Sequence, residues 1–474
     1  MNDFKFTRLF SMGLFKNKKI ALAQMSFEKD FINTDKGALY PIIAKSVDTV
    51  EEISFNRYCI TKGCVSRFFC RFFPFATYEA IFTKNSSKAG FEFRFPHALF
   101  SISINNDNII FSDGYKKELY PLINSDIEEK TLIITCRPCV FDVYQLINGK
   151  PEFLKTFSSE LLADMNKEEV FNKTAVCLYC EGETVVKSVS SYIDSGVSIA
   201  DIRPIKYENG DVIYENGRIY LTASMRMQEE MYQGVLSWIP GSAEFELCGV
   251  LLYNSGDGYI FCDVAASLKF DRNERMWYLW LCSFSHGHVL AHAKFEGDPR
   301  FGVNIIDVEL MESAKDDNLP TDFIGFEGDE DPDFYYDEDD KKWYMSICRL
   351  FNDGNKHYQY IFFESDNPFS NFKYIGSGEK ERAQETGGSF VKIKGEKYFI
   401  CGNSFKDISE YRVYGKDGMT NLIFDYPDGG FRGWGSIIPV KMGTRTRYFH
   451  ITFDRHGGSG YTWSYGNIYV FEMM

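Results

Sequence analysis

An aromatic strand recurs five times in the second half of this chain, and no other feature constrains the fold as much. It reads RIYLTAS at 218–224, MWYLWLCS at 276–283, KWYMSIC at 342–348, KYFICGN at 397–403 and RYFHITF at 447–453. The matching aromatic positions, Tyr220, Tyr278, Tyr344, Tyr398 and Phe449, lie 58, 66, 54 and 51 residues apart. A strand ending in a turn precedes the aromatic one, as in DVIYENG, FYYDEDD and FVKIKGE. Another follows it, as in GVLSWIP, VLAHAKF and YQYIFFES, and the first four repeats add one more, such as FELCGVLLY, VNIIDVEL and FKYIGSG. A four-stranded meander at this period is the signature of a propeller blade. One blade is too thin to bury both its faces, so blades stack around an axis and cover one another. The fifth repeat has three strands, and DIRPIKY (201–207) is expected to complete it. A second, larger sandwich is the rival reading; the regular spacing favours five blades.

The first 190 residues follow a different rule. Runs such as FEFRFPHALFSISI, TLIITC, CVFDVYQL and AVCLYCEG alternate with period two between turns at INNDN, SDG and INGK, which reads as an antiparallel sandwich or jelly roll. A helical pattern fits only 158–171. The expected fold is therefore all-β: a jelly-roll-like β-sandwich over 1–192, then a five-bladed β-propeller over 193–474. Aromatic content of 17% agrees with strands over helices. The net charge of −15 argues against nucleic acid and anionic membrane surfaces as partners. No window approaches 18 uncharged apolar residues, and the N-terminus lacks the apolar core of a secretory signal, so a cytoplasmic location is expected. The CxxC pairs Cys136/Cys139 and Cys177/Cys180 sit in strand-like runs, where residues three apart face opposite sides. Buried thiols are expected there rather than zinc.

In a small propeller the residues just before the innermost strands converge from blades far apart in sequence. Those positions offer Asp201 or Asp211 in blade one, Asp263 in blade two, Asp331 in blade three and Glu385 in blade four. Blade five offers Arg432 and Trp434. Carboxylates so close raise at least one pKa, which keeps a carboxyl protonated as a general acid. His286 and His288 in SFSHGHVLAHA suit substrate hydroxyls better than a metal, because no acidic residue adjoins them. Arg432, Trp434, Arg455 and Trp463 combine arginine donors and aromatic platforms of the kind that hold sugar rings.

The DP dipeptide of EDPDF and the Glu of QETGGSF, each ahead of an inner strand, resemble the five-bladed glycoside hydrolases of the family 43 arabinanase and xylosidase group. The resemblance covers about 200–474. It implies that Glu385 is the general acid, Asp331 orients it, and a blade-one aspartate activates water, with inversion of configuration. Asp331 and Glu385 each lie 13 residues before their aromatic tyrosine, whereas Asp211 lies 9 and Asp201 lies 19 before Tyr220. Neither register fits, and both aspartates stay candidates for the base. No cofactor is expected; the resemblance admits an axial calcium, for which the sequence names no ligand set. The functional expectation is a glycosidase acting on oligosaccharides. The alternatives are a non-catalytic glycan-binding propeller, or a phosphorylase or lyase on the same scaffold. The sequence gives no oligomeric state.

Overall fold

The computed structural model describes residues 5–12, 19–25, 43–51, 59–85, 88–123, 129–196, 198–226, 230–311, 319, 326–352, 356–381, 383–404, 410–422, 424, 435–453 and 467–473. Nearly all of it is β-structure. It divides into two compact units, one of Met1–Lys18, Ser195–Asp257 and Phe261–Met474, the other of Lys19–Asp194 and Gly258–Ile260.

The larger unit holds five sheets among the described residues. Sheet I runs Ser198–Pro204, Arg218–Arg226, Met231–Trp238 and Phe245–Asn254; sheet II runs Val264–Asp271, Met276–Ser283, Val289–Phe295 and Glu309–Met311. Sheet III runs Phe326–Asp337, Lys342–Phe351, His357–Ser365 and Lys373–Ser377. Sheet IV runs Glu385–Ile393, Glu396–Asn403, Glu410–Gly415 and Gly418–Leu422. Sheet V runs Ser436–Met442, Arg445–Phe453, Ile468–Met473 and, from the other end of the chain, Phe6–Met12. The first strands neighbour one another in a closed order: I beside II, II beside III, III beside IV, IV beside V, and V beside I. Strands such as Met276–Ser283 are apolar almost throughout because neighbouring sheets cover both their faces. Tyr278 and Trp280 of sheet II pack with Phe334, Trp343 and Ile347 of sheet III, and Tyr360 of sheet III packs with Phe399 of sheet IV.

Three local expectations are corrected. DIRPIKY does not complete the fifth sheet: Ser198–Pro204 is the first strand of sheet I, and Phe6–Met12 pairs antiparallel with Ile468–Met473 instead. VNIIDVEL splits, with Gly302–Asp307 lying parallel to Phe245–Asn254 of sheet I and only Glu309–Met311 reaching sheet II. The 158–171 run yields a 3-10 turn at Glu160–Leu162 and one helical turn at Glu168–Phe171.

In the smaller unit thirteen strands form one continuous antiparallel sheet. Thr184–Asp194 lies at its centre, between Thr77–Asn85 and Cys59–Arg71. Rings from the two arms meet: Phe93 lies 4.7 Å from Phe141, and Phe111 lies 4.9 Å from Phe157. Cys136, Cys177 and Cys180 are buried. Cys139 is exposed and sits with φ +67° in the Arg137–Val140 turn, not in a strand.

One irregularity repeats. The first strands of sheets I to IV shift register between Ala200/Arg203, Val264/Ser267, Glu330/Asp333 and Thr386/Ser389. Each shift contains one left-handed residue: Asp201 (φ +50°), Ala265 (+59°), Asp331 (+48°) and Gly387 (+63°). Each bulge lies four residues before the partner of the aromatic tyrosine, namely Ile205 for Tyr220, Lys269 for Tyr278, Tyr335 for Tyr344 and Val391 for Tyr398. A bulge re-aims the side chains around it, so these four positions are structural equivalents.

Because Phe6–Met12 supplies the outer strand of sheet V, deleting residues 1–12 should expose the amides of Ile468–Met473. Hydrogen exchange there is expected to speed up at least about tenfold, the mark of local opening, while Lys342–Phe351 stays protected. Unchanged exchange in Ile468–Met473 would show that the N-terminal strand does not close this sheet.

Candidate active site

The bulges bring two carboxyl groups from different sheets, Asp201 and Asp331, within range of one another's charge. Asp201 is half-buried, and Asp331 is 6% exposed. Arg203, two residues past Asp201, brings Nη2 to 3.5 Å from Asp331 Oδ1 and donates from Nη1 to the Pro332 carbonyl at 2.6 Å. The Gly387 amide donates to Asp331 Oδ2 at 2.8 Å. Asp331 is thereby tied to sheets I and IV at once. Burial pushes its carboxyl up to about 7; Arg203 and the Gly387 amide oppose the rise, and the charges of Glu330 and Asp201 add to it.

Asp211, the other blade-one candidate, is not brought to this place. It is exposed in the turn that follows Tyr207, where its carbonyl accepts from the Tyr207 amide at 2.7 Å. The neighbouring Asn209 reaches Glu338 at 3.4 Å, beyond the far end of the strand that carries Asp331. At about 3.3 Å per residue, that end lies roughly 20 Å from Asp331.

Glu385 is in register with Asp263 and Asp329, two residues ahead of the bulge, whereas Gly387 is the equivalent of Asp331. These three acids are satisfied inside their own surroundings. Asp263 accepts from Ser283 Oγ at 2.5 Å and from the Ser285 amide at 3.0 Å. Asp329 takes two bonds from Arg349, at 2.8 and 3.0 Å. Glu385 has no exposed surface, and accepts from Arg412 Nη1 at 2.9 Å, the Tyr360 amide at 3.0 Å and the Tyr414 hydroxyl. Burial pushes the Glu385 carboxyl up; Tyr414, the Tyr360 amide and Arg412 pull the other way. Its backbone approaches Asp331 through Gly387, but its carboxylate points to Arg412 and Tyr414.

The two histidines part company. His286 Nδ1 lies 2.8 Å from Ser283 Oγ and Nε2 lies 3.0 Å from Ser255 Oγ, on the Asp263 network. His288 faces Glu330, with Nε2 to Oε2 at 3.4 Å. Arg432, Trp434, Arg455 and Trp463 lie outside the described residues. Arg203 and Glu330 were missed in the sequence. Aligning the two left-handed aspartates sets DIR over DPD, which flags Arg203 opposite Asp333.

Deeper along the same strands lies a second charged cluster. Asp333 is buried and accepts from Lys269 Nζ at 2.7 Å, Ser267 Oγ at 2.5 Å and the Phe390 amide at 2.8 Å. Lys206 Nζ is 3.8 Å away and donates to Phe390 O at 2.6 Å and Ser389 Oγ at 3.0 Å. The lysines hold the Asp333 carboxyl well below its usual range against the effect of burial. Burial lowers Lys206 to about 7, with Asp333 opposing and the charges of Lys269 and Arg203 adding to the fall. Elsewhere in this unit, a cavity of about 620 Å³ is lined by rings including Tyr335, Tyr344, Phe362, Phe390, Tyr398 and Tyr414. None of Asp201, Asp331 and Glu385 lines it.

The structural neighbours are family 43 and family 62 glycoside hydrolases, which are five-bladed β-propeller enzymes. A thermostable family-43 glycoside hydrolase aligns with TM-score 0.39 and 15% identity over 59% of this chain and 90% of its own. The catalytic domain of the Coprinopsis cinerea GH62 α-L-arabinofuranosidase gives 0.38, 15%, 58% and 90%. A GH43 β-1,3-galactosidase solved with galactodeoxynojirimycin gives 0.38, 10%, 58% and 90%. No protein-family model and no curated protein matches the chain. Likeness at this level assigns no residue role, so roles here rest on geometry.

Lys206 gives a pH signature. Between about pH 7 and 10.5 the unfolded chain holds the proton that folded Lys206 has lost, so this group makes stability rise with pH across that window and adds no slope below it. Lys206→Met is expected to flatten the rise in urea midpoints measured at about pH 6.5, 8 and 9.5. Parallel curves for the two proteins would refute the depressed amine.

Proposed function

We propose that this chain is a glycoside hydrolase. Its five sheets would be the blades of a propeller, and the smaller unit, 19–194, would be a β-sandwich whose two arms form the layers of an accessory domain. The observation that carries the reading is the Asp201–Asp331 pair: two carboxyl groups on matching left-handed bulges of sheets I and III, with Arg203, two residues past Asp201, facing Asp331. Two carboxyl groups on separate elements are what hydrolysis of a glycosidic bond requires. Half-buried Asp201 is the base that activates water, and enclosed Asp331 is the partner carboxyl at the leaving oxygen. Glu385, held by Arg412, is structural in this reading. The substrate is an oligosaccharide, and the names of the neighbours suggest arabinosyl and galactosyl compounds for the first screen.

One observation favours a second reading, a glycan-binding protein without turnover. Gly387 occupies the bulge of sheet IV, so that sheet contributes no carboxyl at the position matching Asp331.

The test is a panel of aryl glycosides and short oligosaccharides assayed with the wild type and three variants. Asp201→Asn and Asp331→Asn should each lower kcat by roughly 10²–10⁴-fold, the scale of general acid–base catalysis, with sugar binding retained. Glu385→Gln should stay within about tenfold in kcat while losing stability through its Arg412 pair. Collapse of kcat in Glu385→Gln with unchanged unfolding would return the acid role to Glu385. Sugar binding by a wild type that turns nothing over would establish the glycan-binding reading. For an inverting enzyme, NMR of the first product should show the opposite anomer.

A further inference from the structure

We infer that Cys282, His288 and Glu330 form a binding site for a thiophilic divalent transition metal ion, zinc foremost. The inference stands apart from the hydrolase reading, because it rests on ligand geometry alone. Cys282 is the penultimate residue of Met276–Ser283, His288 stands just before Val289–Phe295 across the hairpin turn, and Glu330 comes from the neighbouring first strand of sheet III. Their ligand atoms, one sulfur, one imidazole nitrogen and one carboxylate oxygen, all lie within 4.8 Å of one another. The 3.4 Å between His288 Nε2 and Glu330 Oε2 is already the edge of a tetrahedron. Nitrogen and oxygen each bound at about 2.0–2.1 Å stand roughly 3.4 Å apart. Drawing the sulfur in by about 1 Å completes three corners.

The imidazole is placed as a ligand is placed. His288 Nε2 is enclosed and makes no hydrogen bond. The residue is left-handed at φ +65°, with its amide donating to Ser283 O at 3.1 Å and its carbonyl accepting from the Asp329 amide at 3.2 Å. Phe284 covers the ring at a centroid distance of 4.8 Å. On another side stands Gly328, where a Cβ would come within 2.5 Å of His288 Cγ and Nδ1. Only glycine leaves room for the ring there. His286 does not share the site, being engaged by Ser283 and Ser255.

The surrounding charge favours a cation. The Cys282 sulfur donates to the Asp329 carbonyl at 3.6 Å, a weak bond that a metal-bound thiolate would give up. Asp329 is paired with Arg349 and Asp331 faces Arg203. Among the described residues, Glu330 and Asp263 have only imidazoles as ionic partners. A sulfur, nitrogen and oxygen set selects zinc-like ions over calcium or magnesium, which take oxygen ligands. Three protein ligands leave a fourth position for water or a substrate oxygen.

The test uses the full chain stripped with chelator and reloaded with Zn²⁺ or Co²⁺. One metal ion per chain should survive gel filtration, and the cobalt form should show thiolate-to-metal charge-transfer absorption in the near ultraviolet. Cys282→Ser should abolish that absorption, and His288→Ala should weaken zinc by at least about a hundredfold, above the scale of outer-shell effects. Cys139→Ser, at an exposed thiol outside the cluster, should change neither. The site is refuted if the wild type retains no ion or shows no thiolate absorption. It is also refuted if Cys282→Ser and His288→Ala bind as the wild type does, or if Cys139→Ser removes the signal. None of these readouts depends on turnover.

Discussion

The structure depends most on the single carboxylate of Asp333 and the two lysine side chains beside it. Lys269 comes from sheet II, Lys206 from the segment that follows the first strand of sheet I, and Ser389 and the Phe390 amide from sheet IV. Removing one partner of so buried a cluster leaves an uncompensated charge, at a cost of about 3–5 kcal/mol. The cluster therefore fixes how four consecutive strand segments meet. It also fixes Asp331, two residues upstream on the same strand. Without the bulge, residues two apart would share a face; with it, Asp333 turns to the lysines and Asp331 to Arg203 and Gly387.

The bulges carry a lesson about strain. A left-handed L-residue costs roughly 1–2 kcal/mol, and Asp201, Ala265 and Asp331 all accept it. Strain of this kind is often taken as a sign of chemistry. Ala265 has none to offer, yet it adopts the same conformation. The bulge is thus a shared feature of the first strands of sheets I to IV, and only the side chain placed on it decides whether the position can act. Sheet II spends the position on Ala265 and sheet IV on Gly387, leaving two acids where a uniform repeat would give four.

The sequence made the repeat legible because a strand covered on both faces has to be apolar, and MWYLWLCS and KWYMSIC show that plainly. Sheet closure was not legible. Nothing local in FTRLFSM distinguishes a lone outer strand from any other short strand, and its partner lies at the opposite end of the chain. The register of the acids was legible only in part. Asp331 and Glu385 share a 13-residue spacing to their tyrosines, but the hairpin joins Asp337 to Lys342 in sheet III and Ile393 to Glu396 in sheet IV. The second is two residues shorter, so equal spacing sets unequal positions side by side. Asp201 failed the spacing for the opposite reason: Lys206–Tyr207 leaves sheet I to pair with Val264–Asp271 of sheet II, and the chain returns only at Tyr214–Glu215, which pairs with Arg218–Arg226 of sheet I. Counting residues misleads wherever turn length varies; counting from the bulge does not.

The acid run GDEDPD shows how far a bland reading of composition can miss. Four carboxylates in five residues look like a solvated loop. Here Asp329, Asp331 and Asp333 are buried, Glu330 is half-buried, and all lie within one strand. Each answers a different cation or donor: Arg349 for Asp329, His288 for Glu330, Arg203 and the Gly387 amide for Asp331, and the two lysines for Asp333. Burying them together is tolerable because strand alternation and one bulge send the four side chains to separate partners. The density of acid in that stretch comes from several charged networks crossing one strand, and the half-open members, Asp201 and Glu330, are where a ligand can enter them.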